Sequence, residues 1–137
     1  MTTRWSSVTI DCIDPHRVAG FWSALLGRPV GPSEPAWVYL GERGDELPRL
    51  VFQPVSEPKV GKTRIHLDVT VDDIDTAIAQ VEELGGSQTG ERHDHDEGIV
   101  VVMRDPEGHE FCIVQYLDLT LNRNDHAGFR LLLVIAG

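Results

Sequence analysis

Two aspartates occupy similar surroundings in the two halves of the chain, and each could act as a general base. Asp11 follows Thr9 in the segment VTIDC, and Asp68 precedes Thr70 in the segment HLDVT. Burial raises the pKa of a carboxyl group, which then accepts protons more readily at neutral pH. Beside the two threonines, the same aspartates could instead form a polar network between neighbouring strands.

Two further groups of side chains have the composition of a binding site. Residues 92–97 (RHDHDE) place His93 and His95 among acidic side chains, which are residue types that bind metal ions. Their position between a strand pattern and a glycine favours a solvent-exposed loop instead. Trp37 and Tyr39 alternate on one face of a short predicted strand, where they could stack on a planar or apolar ligand or pack within the protein.

The elements that carry these residues occur twice in the sequence. Residues 11–27 and 68–85 each contain the end of an alternating strand, an acidic helix start and an amphipathic helix closed by Leu-Gly. The ends of the copies are also alike, because CIVQYL at 112–117 repeats the pattern of LVFQPV at 50–55. The repetition predicts two β-α-β-β-β copies in one domain. Their predicted bounds are 5–55 and 63–117, with a linker at 56–62.

Alternation along the first strand of each copy separates an apolar face from a polar face. The predicted polar face comprises Ser7, Thr9, Asp11, His66, Asp68 and Thr70. A sheet covered by helices on one face curls its other face around a cleft. We therefore expect these side chains to line a cavity for a small molecule.

The composition describes a single acidic domain of 137 residues. The net charge of −10 argues against nucleic acid or an anionic membrane surface as a partner, because both bind basic surfaces. The sequence lacks a basic-then-apolar leader and an apolar run of membrane-spanning length, so we expect a cytoplasmic protein. In that reducing compartment, Cys12 and Cys112 are expected to be small buried residues rather than a disulfide.

Residues 118–137 form a tail outside the repeats, polar as far as His126 and then continuing as FRLLLVIA. This apolar run is too short to span a bilayer and would promote aggregation if it were exposed. We expect it to pair as an extra strand with its own sheet or with a neighbouring subunit. The alternative is a disordered or non-native extension.

Three segments of the chain resemble the vicinal oxygen chelate superfamily, the group of glyoxalases, bleomycin-resistance proteins and dioxygenases. They are VTIDCIDPHRVAGFWSALLG, RIHLDVTVDDIDTAIAQVEELGG and RDPEGHEFCIV. The resemblance covers residues 5–117 and both repeats. It implies an α+β fold in which tandem βαβββ modules form a curled, barrel-like mixed sheet with helices on the outer face, and it implies a homodimer.

Metal-dependent members of this superfamily hold the ion with two side chains from each repeat. The resemblance places these positions at Ser7, Leu50, His66 and Cys112, with Glu110 two residues before Cys112. Divalent ions need three or four N, O or S donors, so this set predicts no complete metal site and no cofactor. Alternatively, His66, Glu110 and Cys112 could hold one divalent ion such as zinc, with Asp68 as a more distant ligand.

Two classes of function follow from the resemblance. In the first, the protein binds a compact, partly apolar or aromatic molecule without a metal, as a sequestration or resistance protein does. The residues expected to contact the ligand are Ser7, Thr9, Asp11, Trp37, Tyr39, Asp68 and Cys112. In the alternative, the protein is a lyase or isomerase that acts through a carbonyl or enolate, with His66 and Glu110 as acid–base or metal-binding groups.

Overall fold

The computed structural model describes residues 2–117, so the extra strand predicted in the tail at 118–137 lies outside the described residues. The described residues divide into two compact units. The first contains residues 2–61 and the turn 105–108, and the second contains residues 62–104 and 109–117. Each unit holds one sheet and one helix. Within residues 2–117, neither helix is long and apolar enough to cross a membrane.

The first unit contains three strands and a helix. They are β1 (Ser7–Cys12), α1 (Pro15–Leu26), β2 (Val38–Leu40) and β3 (Arg49–Pro54). β3 lies in the middle of the sheet, parallel to β1 and antiparallel to β2. A single bridge between Val30 and Leu40 lies beside β2, in the region where the sequence predicts a further strand.

Local signals explain where α1 begins and ends. The side chain of Asp14 accepts a hydrogen bond from the backbone N–H of Arg17 at 3.3 Å. Pro15 lies in the first turn, where its missing N–H is not needed. Gly27 ends the helix with φ 63°, a left-handed conformation that favours glycine. Val18, Phe21 and Trp22 of the apolar stripe are buried, whereas Leu26 at the end of the helix is 38% exposed. The predicted helix is confirmed.

The register of the first sheet determines which side chains share a face. Thr9 and Tyr39 both pair with Val51, whereas Leu40 pairs with Leu50. Leu40 and Leu50 are buried, and α1 packs against β2 and β3. The Leu50 face therefore belongs to the core, and Thr9 and Tyr39 lie on the other face. This arrangement confirms the alternation predicted for β1.

The second unit repeats this arrangement with one more complete strand. Its elements are β4 (Asp68–Thr70), α2 (Ile74–Glu83), β5 (Ser87–His95), β6 (Gly98–Arg104) and β7 (Glu110–Tyr116). The strand order is β4-β7-β6-β5, in which β4 is parallel to β7 and the other pairs are antiparallel. In both units the first strand is parallel to the last and a helix packs on the sheet, which confirms the predicted α+β fold class.

The helix of the second unit begins as α1 does. Asp73 accepts hydrogen bonds from the backbone N–H of Thr76 at 2.9 Å and from its hydroxyl at 2.6 Å. These bonds lower the pKa of the Asp73 carboxyl, because they stabilise its charged form. Ile74, Ala77 and Val81 are buried and form the core side of the helix.

Two strands of the second unit differ from their predicted bounds. β4 comprises only three residues rather than the predicted 63–71, and Ile65, predicted on the apolar face, is 84% exposed. β5 extends through much of the loop predicted at 92–97, because its backbone pairs with β6 as far as His95. The composition of these residues alone favours a loop, but they form a strand because they pair with the apolar strand β6.

The turn 105–108 connects β6 to β7 and belongs to the first unit. Asp105 is 3% exposed, and its Oδ2 accepts a hydrogen bond from the indole N–H of Trp22 at 3.0 Å. The other oxygen, Oδ1, accepts the backbone N–H of Glu107 at 2.9 Å. The two carboxylate oxygens of Glu107 in turn accept the backbone N–H groups of Ile13 and Asp14, at 2.7 and 2.8 Å. The turn therefore holds the segment that starts α1.

Replacing Glu107 with glutamine is expected to lower the free energy of unfolding by about 1 kcal/mol. The amide has one acceptor oxygen in place of two, so either Ile13 or Asp14 loses its hydrogen-bond partner. Urea denaturation of the purified variant would measure the loss. Glu97→Gln is the matched control, since Glu97 is exposed. Equal stability of the two variants would contradict a role for the Glu107 carboxylate in holding α1.

Candidate functional site

Three of the predicted site residues come together on one face of the second sheet. Asp68 pairs with Cys112, so the two side chains share a face, and His66 precedes Asp68 by two residues. One ligand atom from each side chain lies within 4.8 Å of the other two. We call these residues the His66 triad (His66, Asp68 and Cys112).

The imidazole of His66 has an unused nitrogen. Its Nδ1 lies 3.2 Å from Oδ1 of Asp68, but the direction of approach does not make a hydrogen bond. The atom is buried and has no hydrogen-bond partner among the described residues. Buried polar atoms without a partner are rare in native proteins, and each one suggests an interaction with a water, an ion or a ligand.

The thiol of Cys112 is protonated at neutral pH. Burial, and then the negative charge of Asp68, raise its pKa to about 12. A hydrogen bond with the Asp68 carboxylate acts in the same direction, so the thiol donates and the carboxylate accepts. Cys112 is therefore a weak nucleophile in this structure. Cys12 is also free and buried, which confirms the expectation of two small core cysteines rather than a disulfide.

Buried apolar side chains share the sheet face that carries Asp68 and Cys112. Val100, Val114 and Cys112 form a buried cluster against which Val102 and Tyr116 pack. We call the four residues other than Cys112 the apolar patch (Val100, Val102, Val114 and Tyr116). Burial and the charge of Asp68 raise the pKa of Tyr116, so its hydroxyl remains a hydrogen-bond donor at neutral pH. A polar group beside an apolar surface is the usual composition of a small-molecule site.

The structure brings Asp68, rather than Glu110, beside His66. Oε2 of Glu110 accepts the backbone N–H of Thr63 at 2.8 Å, which anchors the segment leading to His66. The cluster of potential metal ligands within residues 2–117 contains Asp68, predicted as a more distant ligand, and the role predicted for Glu110 stays a prediction. Residues 92–95 of the RHDHDE segment belong to β5, and the segment forms no such cluster within residues 2–117.

In the first unit, the register confirms that Ser7, Thr9 and Asp11 of β1 share one face. Tyr39 of β2 also lies on this face. Trp37 precedes β2, so the predicted strand face does not include it.

Arg49 also lies on this face of the first sheet and was not predicted from the sequence. Arg49 pairs with Ser7, and its guanidinium carbon lies 4.6 Å from the centre of the Tyr39 ring. A comparison of the repeats could have identified it. Arg49 lies two residues before Val51, the partner of Thr9, just as Glu110 lies two residues before Cys112.

The register corrects the position assigned to Leu50. Thr9 and Asp68 each lie five residues before the aspartate that caps their helix, so Val51 is the counterpart of Cys112. Leu50 instead corresponds to Phe111 and is buried in the core. The repeated patterns LVFQPV and CIVQYL are therefore offset by one residue in the structure. Neither Leu50 nor Val51 offers a metal ligand.

The donor set of the His66 triad fits a divalent ion of the zinc type. An imidazole nitrogen, a carboxylate oxygen and a cysteine sulfur are the donors that such ions prefer. The unpartnered Nδ1 of His66 is already available. Cys112 would have to lose its proton, and both burial and Asp68 oppose that loss. Metal binding at the triad would therefore release a proton and weaken at low pH.

Comparison with known families gives the affiliation of the chain. The family model described as "Glyoxalase-like domain" matches residues 7–114, which include both helices and every described strand except the last two residues of β7. The chain belongs to this glyoxalase-like family. The match agrees with the resemblance to the vicinal oxygen chelate superfamily. No protein with a curated description matches the sequence significantly.

Solved structures of low sequence identity share the fold of this glyoxalase-like protein. A glyoxalase/bleomycin resistance protein/dioxygenase family enzyme from Burkholderia phytofirmans PsJN is 17% identical with a TM-score of 0.65, covering 82% of this chain and 98% of its own. A glyoxalase-related enzyme from Fulvimarina pelagi is 15% identical with a TM-score of 0.65, covering 83% and 88%. Lactoylglutathione lyase from Agrobacterium tumefaciens is 15% identical with a TM-score of 0.57, covering 84% and 95%. At these identities the similarity establishes the fold alone.

Proposed function

We propose that this glyoxalase-like protein binds a small organic molecule against the His66 triad and the apolar patch, without requiring a metal ion. The observation that carries the proposal is the buried Nδ1 of His66, which has no hydrogen-bond partner among the described residues and lies beside a carboxylate. A ligand with a polar group would give this atom a partner. The apolar patch would remove the rest of such a ligand from water.

The charges of the triad favour a neutral hydrogen-bond donor in the ligand. The Asp68 carboxylate accepts hydrogen bonds, and its negative charge repels an anionic ligand. Nδ1 of His66 accepts a hydrogen bond when the proton is on the other ring nitrogen. A hydroxyl or N–H group on an aromatic or compact aliphatic body therefore matches the face better than a carboxylate does.

Phenol and toluene form a matched pair of probes for this proposal, because a hydroxyl replaces a methyl group of similar size. Phenol is expected to shift the amide resonances of Val100, Cys112 and Val114 in 15N-correlation spectra, with saturation. His66→Ala is expected to weaken phenol binding about tenfold and to leave toluene binding nearly unchanged.

His16→Ala is the control for this experiment, because His16 is exposed in the first unit and pairs with the carbonyl oxygen of Pro35. Its phenol affinity is expected to equal that of the unaltered protein. If phenol shifts none of these resonances, or if His66→Ala and His16→Ala bind it equally, the His66 triad is not a ligand site.

The second candidate function is a metal-dependent lyase or isomerase. The approach of three potential ligands in the His66 triad to within 4.8 Å favours it. A divalent ion held there would act as a Lewis acid that polarises a carbonyl oxygen of the substrate. Asp68 would be one of the ligands of the ion, and Tyr116 could donate a hydrogen bond to the substrate.

Metal analysis separates the two candidates. Protein purified without a chelator would be assayed for bound metal, and cobalt(II) would be added to metal-free protein to seek a thiolate-to-cobalt absorption band. Stoichiometric metal, together with a band that Cys112→Ser abolishes and Cys12→Ser retains, would favour the metal-dependent candidate. Absence of both signals alongside phenol binding would favour the proposed metal-free function.

A further inference from the structure

We infer that Arg49 binds the carboxylate of an organic anion on the polar face of the first sheet. Arg49 is the first residue of β3 and pairs with Ser7 of β1. This face also carries Tyr39 and Thr9. The inference concerns residues of the first unit only and does not rest on the function proposed for the His66 triad.

The first observation is that the guanidinium of Arg49 is held in place by a ring rather than by an acid. Its central carbon lies 4.6 Å from the centre of the Tyr39 ring. Such a cation–π contact attracts the guanidinium to the ring without a hydrogen bond from its N–H groups to the ring. The Tyr39 ring therefore restrains the position of the guanidinium and does not satisfy its hydrogen-bond donors.

The second observation is an unsatisfied donor on this arginine. The Nε of Arg49 is buried and has no hydrogen-bond partner among residues 2–117. Native proteins rarely leave a buried donor of a charged group unpaired, because the group has lost its water without gaining a partner. An acceptor supplied by a ligand would remove this deficiency.

Arg28 in the same unit shows how an arginine with a structural role differs. It donates to the carbonyl oxygens of Pro48 and Leu47 at 2.8 and 3.2 Å, and to the Asp45 carboxylate at 3.4 Å. The guanidinium of Arg28 is therefore occupied by the protein itself, whereas the Nε of Arg49 is not. This contrast points to an external partner for Arg49.

The geometry of the guanidinium edge selects the class of ligand. Nε–H and the neighbouring Nη–H form a planar fork that matches the two oxygens of a carboxylate. The hydroxyl of Ser7, the strand partner of Arg49, offers one further donor on the same face. A carboxylate satisfies the fork with both oxygens in one plane. A tetrahedral phosphate can also present two oxygens to the fork. Its additional negative charge, however, has no counterpart on this face.

Sodium benzoate and benzamide are the probes, because they differ in charge but little in shape. In spectra that detect arginine Nε–H groups, benzoate is expected to move the Arg49 resonance to saturation, and benzamide is expected to leave it in place. Arg49→Gln should weaken benzoate binding about tenfold or more, and Arg49→Lys should restore only part of it because lysine lacks the fork.

Arg43→Gln is the matched control, since Arg43 is an exposed arginine of the same unit, and its benzoate affinity should be unchanged. The titration of the unaltered protein needs no variant, so it stays informative if Arg49→Gln fails to fold. An Arg49 Nε–H resonance that benzoate does not move would overturn the inference. So would equal binding of inorganic phosphate, or benzoate binding that Arg49→Gln retains.

Discussion

Replacement of Asp105 with alanine is expected to lower the free energy of unfolding by about 3 kcal/mol. The carboxylate is buried and accepts hydrogen bonds from the indole N–H of Trp22 and the backbone N–H of Glu107. Alanine leaves both donors without this acceptor, and the Trp22 side chain is itself buried. Urea denaturation followed by tryptophan fluorescence would measure the loss.

Asp96→Ala is the control for this variant, because Asp96 is exposed in the turn between β5 and β6. It is expected to change stability by less than about 0.5 kcal/mol. Asp105→Asn should fall between the two, because asparagine keeps one acceptor oxygen. A stability of Asp105→Ala equal to that of Asp96→Ala would show that the buried hydrogen bonds do not hold the turn in place.

Alkylation of Cys112 by iodoacetamide is expected to be slower in the folded protein than in the unfolded chain by about a thousandfold at about pH 8. Only the thiolate reacts, and the pKa of Cys112 is raised from 9.0 to about 12. The variant Cys12→Ser leaves Cys112 as its single thiol. Mass spectrometry of samples quenched over time would give both rates, with the same variant in urea as the unfolded reference.

The pH dependence of this reaction tests its cause. In the folded protein the rate should continue to rise up to about pH 11, because the thiolate population is still increasing there, whereas the unfolded chain should level off above pH 9. A folded-state rate that also levels off near pH 9 would mean that alkylation proceeds through an opened form with an ordinary thiol. The raised pKa would then not control reactivity.

The same shift makes the folded protein sensitive to alkali. Between pH 9.0 and about pH 12, the Cys112 thiol keeps its proton in the folded protein and loses it in the unfolded chain. The contribution of the Cys112 proton to the free energy of unfolding is therefore complete below pH 9 and is lost as the pH rises towards 12. The slope of unfolding free energy against pH in this window should become less steep in Cys112→Ser.

The helices could be predicted from the sequence because their signals are local. Asp14 and Asp73 each cap a helix, and each side chain accepts the backbone N–H of the residue three positions later. An apolar stripe at helical spacing follows each cap. The two β-α-β-β-β copies followed from the repetition of these signals, and the α+β class from the resemblance to the vicinal oxygen chelate superfamily. β4 was predicted too long, because alternation continues through Ile65 although this residue is exposed and outside the strand.

Strand register was the main source of error, because it depends on contacts between segments distant in sequence. A shift of one residue moves a side chain to the opposite face of a sheet. The similarity of LVFQPV to CIVQYL matched Leu50 with Cys112. The pairing of Thr9 with Val51 shows instead that Val51 is the counterpart of Cys112. The polar faces of both first strands were nevertheless predicted correctly, since alternation within one strand needs no partner.

The candidate site was predicted in part. His66 and Cys112 do lie close together, and the third member of the cluster is Asp68, which was predicted only as a more distant ligand. The carboxylate of Glu110 accepts a hydrogen bond from the backbone N–H of Thr63, a contact that the sequence does not predict. Arg49 was missed because its stacking on Tyr39 depends on sheet pairing. The homodimer and the cytoplasmic location stay predictions.

The position of the turn 105–108 has a consequence for synthesis of the protein on the ribosome. Glu107 lies 94 positions after Ile13, whose N–H it accepts, and Asp105 lies 83 positions after Trp22. A nascent chain that ends at residue 61 contains every strand of the first sheet and still lacks these acceptors. The first unit therefore cannot be completed in the order in which it is translated, and it becomes complete only after residues 105–108 have emerged.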